Sequence, residues 1–336
     1  GRVLRFDGTP DPAFQGEIAL NVFDAAREVQ LPVRVHMPGV YTIQTDPIYS
    51  GRASVRGGTF DASFLVPQDV SYSGRPARIT TYALGDAGDG LTDGLGQTAS
   101  ATVAQDAGAR PNDLEGPSIR LFLDDTTFVS GGLTRPDPVL IARLQDPSGI
   151  NTVGAGVGHE LLLTLDGDPS QAVDVGRSYE GDLDTYTSGT VRFPLADLTP
   201  GRHSVTLTAW DGANNASTEV LEFVVAEGSD LEVRNAYPYP NPTSGPSAFF
   251  FEHNQPPGTM GRVQLRIYSL SGRPVRTLEM EGPLTSGHVR MDWDGLDDDA
   301  DRLASGIYLY RLRVEVDGQD GTRRVAERRD KLAVIR

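Results

Sequence analysis

Short apolar runs with a two-residue period, broken repeatedly by Gly, Pro, Asn and Asp, constrain this chain more than any other feature. The clearest are Glu17–Phe23, Arg78–Ala83, Ser118–Leu123, Ser204–Trp210 and Val263–Tyr268. Side chains on a strand alternate between faces, so each run can bury one face in a sandwich and wet the other. Nowhere do apolar residues recur at i, i+3, i+4 and i+7 over three helical turns. The fold class that follows is all-β.

The 336 residues suffice for about two or three domains. Two stretches divide them. Residues 105–117 contain almost nothing that can pack. Residues 226–244 include a proline cluster ending at Pro242, where fixed φ and missing amide donors stop a sheet from running on. Three consecutive β-sandwich domains are therefore expected, at 1–112, 113–228 and 229–336, the second and third immunoglobulin-like. The second fits by length and strand spacing, although it lacks the cysteine pair of antibody domains. Trp210, ending a strand that alternates Val205, Leu207 and Ala209, is expected in the core, and Pro200–His203 is expected to form a turn.

Composition excludes several functions. A net charge of -16 opposes unassisted binding to nucleic acid or anionic lipid heads. Cysteine is absent, which removes disulfides, thiolate nucleophiles and Cys-based zinc sites. No apolar run approaches the 18 or so residues of a membrane span. The start, Gly1–Phe6, lacks a signal-peptide pattern and enters directly in a strand, as expected of an excised or processed form.

Few residues invite chemistry. His159 and His253 follow turn residues and have no nearby Ser or Cys in sequence to activate, His36, His203 and His288 have no better context, and nothing matches G-x-S-x-G. Asp297, Asp299 and Asp301 tempt as Ca²⁺ ligands, together with Asp292, Asp294 and Asp298. Read as an EF-hand, that run puts Arg302 where glycine is required and Tyr308 where the bidentate Glu belongs, so a solvated turn is expected and no cofactor is assigned. Asp182 and Asp184, beside Tyr179 and Tyr186, form a weaker Ca²⁺ or sugar candidate. The terminal hairpin has the better case. Gly306–Val314 and Lys331–Ile335 read as strands, and Arg323, Arg324, Arg328, Arg329 and Lys331 between them concentrate positive charge in an acidic protein. Such local charge orients docking on a negative surface, and equally protects an edge strand from aggregation.

The order of motifs adds a resemblance. Tyr239-Pro240-Asn241-Pro242, Trp293-Asp294-Gly295, Gly306–Tyr310 and Lys331–Ile335 together resemble the C-terminal sorting domain of type IX secretion cargo. With Gly16–Asp24, Gly51–Val55, Gly58–Pro67, Gly116–Leu123, Phe128–Gly132, Ser148–Asn151, Gly156–His159, Ala209–Asn215 and Phe251–Asn254, nearly the whole chain is similar to the region behind the peptidase domain in PorU-type sortases, a gingipain-like family. That family's peptidase acts through His and Cys by a thiolate. Without any cysteine, the chain is expected to be a non-catalytic accessory segment. The resemblance implies a place on the cell surface, attached to the outer membrane. It also implies a PorV-like outer-membrane β-barrel, other attachment-complex proteins and cargo sorting domains as partners. Tyr308, Tyr310, Arg328, Arg329, Lys331, Leu332 and Val334 are expected to carry the docking. The alternative is a carbohydrate-binding or adhesive part of a secreted hydrolase, with Tyr41, Tyr49, Tyr72 or Tyr82 stacking on sugars.

Overall fold

The computed structural model describes every residue except 31–38, 46, 68–69, 71–73, 87, 89, 103–112, 153–158, 229, 286–287 and 318–320. Among the described residues there is no α-helix, only two 3-10 turns at Pro169–Gln171 and Gly176–Ser178. Strands follow one another from Gln15–Phe23 to Arg323–Val334. Each of the five runs named above lies on a strand, because alternation of apolar and polar residues suits a half-buried sheet. Backbone packing groups the chain into two compact units. One comprises Gly1–Leu121, Ala142–Arg192 and Val205–Val220; the other comprises Phe122–Ile141, Phe193–Ser204 and Leu221–Arg336.

In the first unit an antiparallel sheet runs in the order Pro47–Val55, Gln15–Phe23, Pro76–Asp86, Leu91–Thr102. Its inner face sets Ile18 opposite Ala53 and Ala83, and Phe14 and Val55 complete that small core. A polar join ties this sheet to later chain. Asp184 accepts hydrogen bonds from the Ser54 amide and hydroxyl, both at 2.6 Å, and Arg52 pairs with Glu180 at 3.1 Å. Asp184 therefore braces the backbone, while the Asp182 carboxylate accepts from the Ser188 hydroxyl at 2.6 Å.

The middle segment contributes two sheets. One orders Tyr179–Gly181, Ser188–Pro194, Val139–Gln145 and Ser118–Leu123; the other centres on Gly201–Asp211, flanked by Leu162–Leu165 and Ala216–Val225. That central strand starts at Gly201, so the turn expected over Pro200–His203 is only its first step. Alternation also reverses the expected burial at its end. Val205, Leu207 and Ala209 are buried, Trp210 falls on the half-exposed face against the His159 ring at 4.2 Å, and Asp211 takes the core-side position. A polar residue in that place needs partners, and the loops beside it supply them.

The segment from Leu231 to Val334 is a sandwich. A three-stranded sheet, Val233–Tyr239, Ser247–His253 and His288–Trp293, accompanies a four-stranded sheet ordered Pro274–Pro283, Met260–Tyr268, Gly306–Asp317 and Arg323–Val334. One core joins them, with Phe251, Leu265, Ile267, Tyr310, Leu312 and Leu332 almost fully buried. Phe249 meets the edge of Tyr310 at 5.1 Å. Each such side chain contributes about 1.5–3 kcal/mol by leaving water.

Candidate functional site

Two places gather the chemistry. At the chain's end, the YPNP stretch and the last strand form one piece. The Asn241 side-chain Oδ1 accepts from the Ala333 amide at 2.9 Å, the Thr243 amide donates to the Ala333 carbonyl at 2.9 Å, and the Ile335 amide donates to the Thr243 carbonyl at 2.9 Å. This covers the outer edge of the last strand where it finishes; among the described residues no strand pairs with that edge further back. Trp293 is buried and donates to the Leu296 carbonyl at 2.9 Å. Gly295 must be glycine, since its φ is 83° and a Cβ would lie 2.6 Å from Gly245 backbone.

The expected docking residues separate by strand parity. Tyr310, Leu332 and Val334 are core side chains, at 1%, 0% and 7% exposure, and cannot touch a partner while the sandwich is intact. Burial raises the Tyr310 phenol to about 12, and its hydroxyl donates to the Ala236 carbonyl at 2.7 Å. Tyr308 packs against the core and donates to the Ala304 carbonyl at 3.0 Å. Arg328, Arg329 and Lys331 are exposed. On the neighbouring strand Gly306–Asp317, exposed Leu309 and half-buried Arg311 stand opposite Lys331 and Arg329, whereas Arg328 is in register with Leu312 on the other face.

The Asp297–Asp301 run is a turn. The Asp297 carboxylate accepts from the Asp299 and Asp301 amides at 3.0 and 2.8 Å, while Asp294 pairs with Arg276 at 3.0 Å. Asp113, Asp146 and Asp211 are brought together instead, with one carboxylate oxygen of each within 4.8 Å of the others. The Ala209–Asn215 turn places Asp211, which accepts from the Ala213 and Asn215 amides at 2.9 and 2.6 Å. Asp113 accepts from the Ser148 hydroxyl, and its carbonyl accepts from the Asn215 amide side chain at 3.1 Å. The 105–117 stretch thus packs at its far end, contrary to expectation; 103–112 lie outside the described residues. Burial, then the neighbouring Asp211 and Asp113, push the Asp146 carboxyl up to about 6. The three oxygens could meet a cation, but Ca²⁺ takes about six to eight. Asparagine keeps the acceptor for the Ser148 amide and sheds the charge. Asp146→Asn is accordingly expected to raise melting of the first unit by about 4 °C at pH 7.5 in EDTA; a lowered melting temperature would contradict this.

The remaining candidates have structural partners. The His203 ring meets the Thr199 carbonyl at 2.7 Å, and His253 is 2% exposed. His36, the His288 side chain and Tyr72 lie outside the described residues. Tyr49 stacks on Phe64 at 4.4 Å, whereas Tyr41 and Tyr82 are exposed. Asn254 donates to the Asp230 carbonyl at 2.7 Å and accepts from the Glu232 amide at 2.9 Å, anchoring the entry to the last sandwich.

Residues 251–320 match the FlgD Ig-like domain family. Dimeric latent PorU from Porphyromonas gingivalis is 29% identical, aligned over 100% of this chain and 31% of its own, with a TM-score of 0.39. A DUF3823 family protein from Parabacteroides merdae is 13% identical over 66% of this chain and 100% of its own, with a TM-score of 0.22. The chain thus spans about a third of the PorU structure's length. No curated protein matches it.

Proposed function

We propose that this chain is the non-catalytic accessory region of a cell-surface type IX secretion sortase like PorU. It would position a peptidase domain and dock it, at the outer membrane, to a PorV-like β-barrel and its attachment-complex neighbours. The division at 112 and 228, and a sorting-type role for 229–336, belong to this proposal. The observation that carries it is the joint order of motifs from Gly16–Asp24 to Lys331–Ile335, single pieces of which are common but whose sequence along one chain is specific. The hydrogen bonds between Asn241, Thr243 and residues 333–335 support it, since two of those motifs build one terminal feature. A thiolate mechanism needs a cysteine, and none is present.

The docking test is a pull-down of the barrel by the full chain. Arg328→Glu alters an exposed side chain and is expected to weaken association about tenfold, more so at low salt. Unchanged binding would remove the terminal strand from the interface. The same preparation is expected to leave a cargo sorting signal uncut; cleavage that survives repurification would overturn the accessory role.

A further inference from the structure

Three neighbouring strands of the terminal sheet set arginines side by side. Arg266 on Met260–Tyr268 lies opposite Arg311 on Gly306–Asp317, and Arg311 lies opposite Arg329 on Arg323–Val334. Strands are about 4.8 Å apart, so three cations occupy a row roughly 10 Å long. Like charges directly opposite one another destabilise a sheet. Elsewhere on the same face that repulsion is answered by carboxylates. Arg262 pairs with Glu281 at 3.0 Å, Arg313 with Glu315 at 2.6 Å and Glu327 at 3.5 Å, and Arg323 with Asp317 at 3.6 Å. The row itself is different. Arg266 and Arg311 form no ion pair among the described residues, and the Nε of each is buried without a hydrogen-bond partner. Only Arg329 meets a carboxylate, Glu327 at 3.3 Å.

The next row adds Tyr268, Leu309 and Lys331, again in register across the three strands. Together Tyr268, Leu309, Arg311, Arg329 and Lys331 line a groove of about 480 Å³, with Asp330 as its one acidic wall. That volume suits a small ligand. A surplus of cations over Asp330 favours a dianion, and the planar guanidinium forks of arginine match tetrahedral oxyanions. We propose that Arg311, Arg329 and Lys331, with Arg266 next in the row behind Arg311, form a binding site for a phosphate monoester, whose organic group rests against Tyr268 and Leu309. A soluble metabolite and a lipid headgroup share that chemistry. The site does not depend on a barrel partner.

The test is calorimetric titration of the full chain with phenyl phosphate at low salt, with benzoate as the monoanion of similar shape. Saturable phenyl phosphate binding, with a Kd near or below about 1 mM, is expected. Arg311→Gln is expected to weaken it at least tenfold and Arg311→Lys less, because lysine keeps the charge without the fork. Arg262→Gln, on the same face but paired, is expected to change it less than twofold. Arg311→Gln is also expected to melt no lower than the parent, since it relieves repulsion. Sedimentation with phosphatidic acid vesicles separates the sources: co-sedimentation that Arg311→Gln abolishes assigns a lipid headgroup, and phenyl phosphate binding without it assigns a soluble ligand. Absence of saturable binding, equal losses from Arg262→Gln and Arg311→Gln, or benzoate binding as tight as phenyl phosphate would overturn the site.

Discussion

Deletion of residues 323–336 is expected to unfold the sandwich formed by Leu231–Val334 and to abolish any association that the terminal sheet carries. The deleted strand pairs residue for residue with Gly306–Asp317 at twelve positions, from Gly306 opposite Val334 to Asp317 opposite Arg323. It also takes Leu332 and Val334 out of a core that holds Phe249, Trp293, Tyr310 and Leu312. Emptying one buried leucine site costs about 2–5 kcal/mol, and a whole domain is stable by only about 5–15 kcal/mol, so losing two such side chains and a full ladder exceeds what this core can absorb. The chain has two tryptophans, and Trp293 alone lies in this core. In a Trp210→Phe background its emission reports that core by itself. A truncated protein whose Trp293 emission stays blue-shifted, and melts cooperatively, would show that the last strand is dispensable.

Acid is expected to weaken the same sandwich through His253. Burial holds this imidazole down at about 4 against an ordinary 6.5, with the Thr285 backbone and the Asp125 charge offsetting only part of the effect. Its Nε2 is buried without a hydrogen-bond partner, while Nδ1 accepts from the Gln255 amide at 3.1 Å. As pH falls the unfolded chain takes up the proton first, near 6.5, and the fold only near 4. The contribution is intact above about 6.5 and is lost progressively toward 4, amounting to about 3 kcal/mol. His253→Asn keeps an acceptor for Gln255 and is expected to flatten the pH dependence of Trp293-detected melting between pH 6.5 and 4, at some loss of packing. An unchanged slope in the variant would refute the assignment. Asp146, raised to about 6, acts in the opposite direction within the first unit: there the fold binds the proton first, and stability grows as pH falls below about 6. Following Trp210 and Trp293 separately distinguishes the two.

How much of this was legible beforehand depended on how local each cause is. The five alternating runs became strands because period-two burial is a property of neighbouring residues. The same parity, followed one step further, places Asp211 rather than Trp210 in line with Val205, Leu207 and Ala209, so that burial was readable. Parity likewise assigns Tyr310, Leu332 and Val334 to one face and Leu309, Arg311 and Arg329 to the other.

Sequence by itself determined the all-β class, the absence of thiol chemistry, the turns at Asp297–Asp301 and the concentration of cations near the end. Each follows from composition or from residues a few positions apart. Only tertiary structure decided which charges meet. Asp113, Asp146 and Asp211 stand far apart along the chain and converge because the ends of the strands Val139–Gln145 and Gly201–Asp211 meet the approach to Ser118–Leu123. Arg266, Arg311 and Arg329 align because strand register, fixed by the hydrophobic face beneath, sets them opposite one another. Electrostatic energy falls with distance through space, and distance along the chain does not report it.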